Sequence, residues 1–152
     1  MKQFFLIMVG ISIGLHAELS RSNGIVQDNI TRLQWQDDYS DNGNTIKSGN
    51  WEEALLYCSN LSLAGGGWRL PNIRELLSIV DYKVIKPSIS NVFRRTASES
   101  SAISPFYWSS TTVPNPKFPS FAFSVNFSYG TQDYDGEKQL NSNFYVRCVR
   151  SL

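Results

Sequence analysis

The side chains able to do chemistry here are few, and their positions narrow the options quickly. The only histidine is His16, which lies in an N-terminal apolar stretch that reads as a removable leader. A mature chain would then carry no imidazole base and no imidazole metal ligand. Ser–His and Cys–His nucleophile pairs are excluded on that reading, as are the usual histidine-containing zinc sites. The two cysteines, Cys58 and Cys148, are far apart in sequence. In an oxidising compartment they are expected to form one disulfide, closing a loop whose chain entropy corresponds to roughly 4–5 kcal/mol. The rival reading is a reactive thiol pair, which normally places both cysteines close together beside basic groups.

Two acidic clusters could attract a hard cation. Asp37, Asp38, Asp41 and Asn42-Gly43 begin like an EF-hand loop, but the twelfth position counted from Asp38 is Gly49 rather than Glu, so the spacing fails. Asp133, Asp135 and Glu137 alternate along a later polar stretch and are the remaining metal candidates; the competing reading in both places is a solvated turn. Lys83, Lys86, Arg94 and Arg95 fall close together in sequence. They could form a patch for a polyanion, the arginine forks being suited to sulfate, or they could be ordinary surface charge. Tyr107, Trp108, Phe118, Tyr129 and Tyr134 include rings able to stack on a sugar face. Of these, Trp108 and Tyr134 join the four cations as candidate ligand contacts, although the strand position of Trp108 suits the core as well. Trp35, Trp51 and Trp68 fit core positions.

The leader itself has three parts. Met1-Lys2-Gln3 gives a basic start, Phe4 to Leu15 an apolar run, and Leu15-His16-Ala17 a small residue suited to cleavage. The run is too short for a bilayer span, which takes roughly 20 apolar residues. The expected division is a signal peptide over 1–17 and a single domain over 18–152, exported to the periplasm, the cell surface or the medium. Loss of Lys2 reduces the 14 basic residues to 13, equal to the 13 acidic ones. A balanced chain lacks the global positive field that draws proteins to nucleic acid or anionic membrane.

The elements that must position these groups are legible in part. Gly24–Asn29 and Thr31–Gln36 read as a hairpin, with residues 18–23 a polar lead-in. Asn50-Trp51-Glu52-Glu53 is a capping box opening a helix whose apolar stripe is Trp51, Ala54, Leu55, Cys58 and Leu61, ending by Ala64 before three glycines. Asn72-Ile73-Arg74-Glu75 opens a second helix with Ile73, Leu76, Leu77 and Val80 on its core side. Arg69 and Glu75 are expected to form a structural ion pair. Tyr82 to Pro105 reads as an irregular excursion that includes a Ser/Thr/Ala/Glu run over 96–101. Phe106–Thr111 and Phe121–Phe127 read as strands, Val113–Pro119 and Gly130–Asn143 as loops, and Phe144–Val149 as a last strand. The order is that of an α+β fold with an antiparallel sheet, Cys58 on the first helix facing Cys148 on the last strand.

Five motifs in order carry a further likeness: Asp28–Gln36, Trp51–Cys58, Gly67–Leu76 with its Trp-Arg-Leu-Pro, Tyr107–Thr111, and the closing Val146–Arg150 with Arg-Cys-Val-Arg. Together, over about Gly24 to Arg150, they resemble the Lcl-type C-terminal domain family. The resemblance implies a C-type-lectin-like fold: two helices and a twisted antiparallel sheet with long irregular loops, and one disulfide from first helix to last strand. It also implies an exported or surface protein associated with adhesion and with sulfated polysaccharides. Two features depart from the family: Arg32 stands where a Thr-Gly-Leu run has Gly, which is expected to reshape the first hairpin, and no collagen-like stalk is present. The Ca²⁺-dependent sugar signature of C-type lectins is also missing, its nearest match being Val113-Pro114-Asn115, so no cofactor is expected.

The expected function is therefore an exported binding or adhesion module rather than an enzyme, with a glycan or a cell-envelope or host protein as partner, and neither nucleic acid nor a membrane span. The alternatives are an accessory subunit of an envelope complex, or a relative of formylglycine-generating enzymes, which use reactive cysteines in a related fold. Sequons at Asn29, Asn60 and Asn126 add little in the bacterial setting that the resemblance implies.

Overall fold

A computed structural model describes residues 19–97, 105–140 and 144–152; the expected leader, residues 98–101 of the Ser/Thr/Ala/Glu run and 141–143 of the last loop lie outside them. The chain opens with a hairpin of β1 (Leu19–Ser22) and β2 (Ile25–Asp28). Asn23 and Gly24 take φ of 49° and 75° at its turn, the left-handed pair that a two-residue hairpin turn demands. The expected lead-in is thus a strand. β3 (Leu33–Gln36) follows after a turn in which the Asp28 carboxylate accepts from the Ile30 and Thr31 amides at 2.9 and 3.2 Å. Arg32 adopts φ 61° there, keeping the glycine-type conformation without a glycine.

Both capping boxes form. Asn50 accepts from the Glu53 amide and Glu53 from the Asn50 amide, each at 2.9 Å, at the start of α1 (Trp51–Asn60). Asn72 and Glu75 do the same at α2 (Ile73–Ser78). Reciprocal capping satisfies two otherwise orphaned amides and fixes where each helix starts. The Arg69–Glu75 pair is bidentate at 2.6 and 2.7 Å.

Two sheets flank these helices. β1, β2, β3 and β9 (Val149–Ser151) form an antiparallel sheet in that order. The second runs β4 (Ser48–Gly49), β8 (Phe144–Tyr145), β5 (Phe106–Thr112), β6 (Phe121–Asn126) and β7 (Thr131–Glu137). The fold is α+β as expected, but the second sheet is mixed, because β5 and β8 run parallel. β7 corrects the expectation of a loop over 130–143. It is an edge strand paired only to β6, and its side chains have no need of the apolar alternation that marks a buried strand.

The expected last strand is divided: residues 144–145 pair in one sheet and 149–151 in the other, with buried Val146, Arg147 and Cys148 crossing between. Cys58 and Cys148, both fully buried, are joined with their Cα atoms 5.4 Å apart. One core cluster gathers Val26, Trp35, Leu76, Tyr107, Phe127 and Val149; the other, around the disulfide, gathers Ala54, Trp68, Leu70, Trp108, Ala122 and Val146. No helix among the described residues is long and apolar enough to cross a membrane.

Candidate functional site

Residues 94–97 contain the arginine pair and are held from within by buried polar side chains. The Asp37 carboxylate, fully buried, accepts from the Arg94 and Arg95 amides at 3.0 and 2.9 Å and from Arg21 Nε at 2.6 Å. Arg147, also fully buried, donates Nη2 to the Arg95 carbonyl and, at 3.0 Å, to Thr96 Oγ1. Tyr107 accepts the Ala97 amide on its hydroxyl at 2.8 Å. The Arg147 guanidinium lies 4.0 Å from Asp37 and over the rings of Phe93 and Tyr107 at 4.5 and 5.5 Å. Burial works against its charge, but Tyr39, Tyr107 and Asp37 around it more than compensate, and its pKa is raised. Burial likewise raises the phenols of Tyr39 and Tyr107, so both stay protonated, and Tyr39 donates to the Val146 carbonyl at 3.1 Å. A buried acid–base pair of this kind fixes geometry more than it adds stability.

Its outward consequence is a fixed backbone beneath two exposed guanidinium groups, Arg94 and Arg95. Asp38 is close enough to feel Arg21 and Arg95: hydrogen bonds from the Ser40 side chain and amide lower its pKa most, and the two arginine charges lower it further. Lys83 and Lys86 stand elsewhere, on an exposed tip over 82–86 whose base is fixed by bonds from the Lys86 amide to Ser128 and from the Ser88 amide to Phe127, and by a bridge between Val80 and Ile89. Lys86 sits over the Tyr129 ring at 5.5 Å. Between the tip and the arginines runs an open groove of about 560 Å³, lined by Asp81, Val84, Ile85, Ile89, Asn91 and Phe93 among others. The four cations are therefore held in two pairs on separate anchors.

The aromatic candidates also divide. Trp108 is fully buried, donates to the Gly49 carbonyl at 2.9 Å and packs on Phe144 with centroids 4.5 Å apart, so it is a core residue and not a ligand contact. Room for its indole comes from Ala122, Ser124 and Gly136; a Cβ on Gly136 would come within 2.5 Å of the ring. Trp51, expected in the core, is only half-buried, with Lys138 over its ring at 4.3 Å. Tyr134 is 63% exposed and lies beside Val113, Phe118 and Phe121 at a small cavity of about 50 Å³, in company that includes none of the four cations.

Asp133, Asp135 and Glu137 lie on β7 rather than in a loop. The Asp135 side chain lies outside the description, and Glu137 accepts the Leu140 amide at 2.8 Å. In the other acidic stretch Asp37 is taken up by the anchor, Asp38 accepts from the Ser40 amide, and Asp41 accepts from Tyr57 at 3.2 Å. Among the described residues no three His, Cys, Asp or Glu side chains are grouped to hold a metal ion. Cys58 and Cys148, joined and buried, offer no thiolate for the formylglycine-generating type of chemistry.

Sequence reasoning missed Asp37 and Arg147 as the organising pair, since Asp37 read as part of an acidic loop and Arg147 as part of the closing Arg-Cys-Val-Arg motif. The profile of the family described as the Lcl C-terminal domain matches residues 24–150. No curated protein and no solved structure matches the chain.

Proposed function

The chain belongs to the Lcl C-terminal domain family, and we propose that it is an exported binding module that holds a sulfated or otherwise anionic polysaccharide at the Arg94–Arg95 surface. One observation carries this reading. Both guanidinium groups are exposed, while the backbone that bears them is locked by the buried Asp37 carboxylate at 3.0 and 2.9 Å. Cations presented on a fixed backbone lose less freedom on binding than cations on a loose loop, and the planar arginine fork matches sulfate oxygens in pairs. The neighbouring groove offers apolar surface for the less polar face of a sugar ring.

A C-type-lectin-like architecture is part of the same proposal. It is supported by the disulfide from the first helix to the residues before the last strand, and by the long excursion between α2 and β5 that bears the basic and apolar groups. Export is supported by the leader pattern and by a buried disulfide that needs an oxidising compartment.

The test is binding of the oxidised domain to heparin and to a glycan array across a salt series, with and without Ca²⁺. The expected result is Ca²⁺-independent binding that weakens with salt and falls about ten-fold or more in Arg94→Ala/Arg95→Ala, each lost contact to a charged group being worth roughly 1.5–3 kcal/mol before solvent screening. Absence of binding to every glycan by a folded, oxidised domain would overturn the reading in favour of a protein partner in the cell envelope.

A further inference from the structure

Five consecutive residues, Tyr82 to Lys86, are all exposed. A chain lying flat on a protein surface buries alternate side chains, so an unbroken exposed run is a projecting tip. Three of the five are apolar or aromatic, and two of these are far out in solvent: Tyr82 at 72% and Ile85 at 69%, with Val84 at 43%. Tyr129, 47% exposed, stands beside them. Apolar groups on a soluble domain are usually scattered, and a compact set of them marks a contact surface.

The tip alternates its chemistry, reading Tyr-Lys-Val-Ile-Lys. At the base of the tip the Asp81 carboxylate accepts the Lys83 amide at 2.9 Å, and the Lys86 ammonium lies over the Tyr129 ring. The bonds from Lys86 and Ser88 to the β6–β7 turn hold the base of the tip, so docking need not order it. A convex, rigid tip of this kind suits a surface that yields to it. A bilayer boundary accepts aromatic and aliphatic side chains at headgroup depth, while lysines reach back to the phosphates along their own stems. The two lysines select a negative surface, since each attracts anionic lipid over a Debye length even on a chain whose formal net charge is only +1.

We infer that the 82–86 tip is a lipid-docking element: Tyr82, Val84 and Ile85 enter the headgroup boundary of an anionic membrane, and Lys83 and Lys86 engage lipid phosphates. The contact is peripheral and reversible. It rests on the side chains of the tip, and the Arg94 and Arg95 guanidinium groups are not part of it.

The experiment is co-sedimentation of the oxidised domain with vesicles of phosphatidylcholine alone or mixed equally with phosphatidylglycerol. Binding is expected to the mixed vesicles and to be much weaker to the neutral ones. Ile85→Asp should weaken it at least about ten-fold, and each of Lys83→Ala and Lys86→Ala about five-fold. Arg94→Ala/Arg95→Ala should weaken it less than Ile85→Asp or either lysine substitution, and all variants should stay folded with melting temperatures close to the parent because the altered side chains are exposed. Failure to sediment with anionic vesicles would overturn the inference, as would full binding by Ile85→Asp. Self-association without lipid that Ile85→Asp abolishes would overturn it too, assigning the tip to a second copy of the chain.

Discussion

Asp37→Ala should be among the most damaging single substitutions in the molecule, and the structure allows the cost to be worked out. The carboxylate is fully buried and serves four groups. Its bond to Arg21 at 2.6 Å counts for little, because Arg21 is 24% exposed and returns to water. The Arg94 and Arg95 amides lose their acceptor, and buried unsatisfied groups cost about 1–3 kcal/mol each. Arg147 keeps its charge in the core without the anion 4.0 Å away. Removing one partner of a buried pair generally costs about 3–5 kcal/mol, which brackets the expected loss. For a domain of this size that lowers Tm by roughly 10–20 °C.

Urea unfolding of the oxidised protein gives the free energy, and hydrogen exchange at the Arg94 and Arg95 amides gives the local effect, which should be near-complete loss of protection. Asp37→Leu combined with Arg147→Met is the informative partner experiment. Removing both charges should cost less than the sum of the singles, since no buried charge is left unpaired and what remains are the orphaned amides, the Arg95 carbonyl and the Thr96 hydroxyl. A loss below about 1 kcal/mol in Asp37→Ala, or strict additivity in the double variant, would refute the argument.

Three further predictions follow from single positions. Arg32→Gly should raise stability by about 0.5–1 kcal/mol, because Arg32 occupies φ 61°, where a Cβ is costly and glycine is not; thermal denaturation checks this, and a lower Tm would count against it. Gly136→Ala should cost about 1–3 kcal/mol by driving a methyl into the Trp108 ring and the Ala122 carbonyl, 2.5 and 2.8 Å from the added carbon, read by urea unfolding against the parent. Glu75→Gln should matter at neutral pH and cease to matter in acid. Burial alone would raise the Glu75 pKa, but the Arg69 hydrogen bonds, the Asn72 amide and the Arg69 charge outweigh it and hold it below 4.5. Its stabilisation is present above the unfolded value and lost as pH falls through the lowered folded one, so the gap between parent and variant should narrow and close as pH falls below the ordinary glutamate range. An equal gap at pH 7 and in acid would show that the pair contributes through packing alone.

What could be read from the sequence was local. Each helix start is written in four residues, Asn50–Glu53 and Asn72–Glu75, whose side chains meet their own backbone. The Arg69–Glu75 pair follows because the capping glutamate also faces the Arg-Leu-Pro segment. Cys58 follows from the helical period and Cys148 from the alternation of the last strand, and the two are the cysteines of the chain. The Asn23-Gly24 dipeptide carries the hairpin signal for β1, yet its polar surroundings masked it.

The misses depend on distant residues. Along β6 the aromatic alternation points to Phe121 and Phe123 as core, but both are half-buried while Ala122 and Ser124 are fully buried, because that face has to accommodate Trp108 from β5. Asp37 and Arg147 are separated by 109 intervening residues, and nothing near either says that it is buried. Of the candidate site, the cations were legible by type and spacing. Their division into two anchored pairs was not, because it depends on which core group each backbone amide reaches.

The crossing made by residues 144–151 bears on how the molecule comes into being. This short stretch puts β8 between β4 and β5, adds β9 beside β3, contributes Cys148 to the bridge and Arg147 to the buried pair. Neither sheet, nor the anchor beneath the arginines, is complete before it arrives. A chain whose last residues are still to come therefore cannot settle into its final form piecemeal, whatever its helices do early. Maturation becomes a single late event, so a product cut short by even a few codons before this stretch would present open sheet edges to the quality-control proteases instead of a half-working protein.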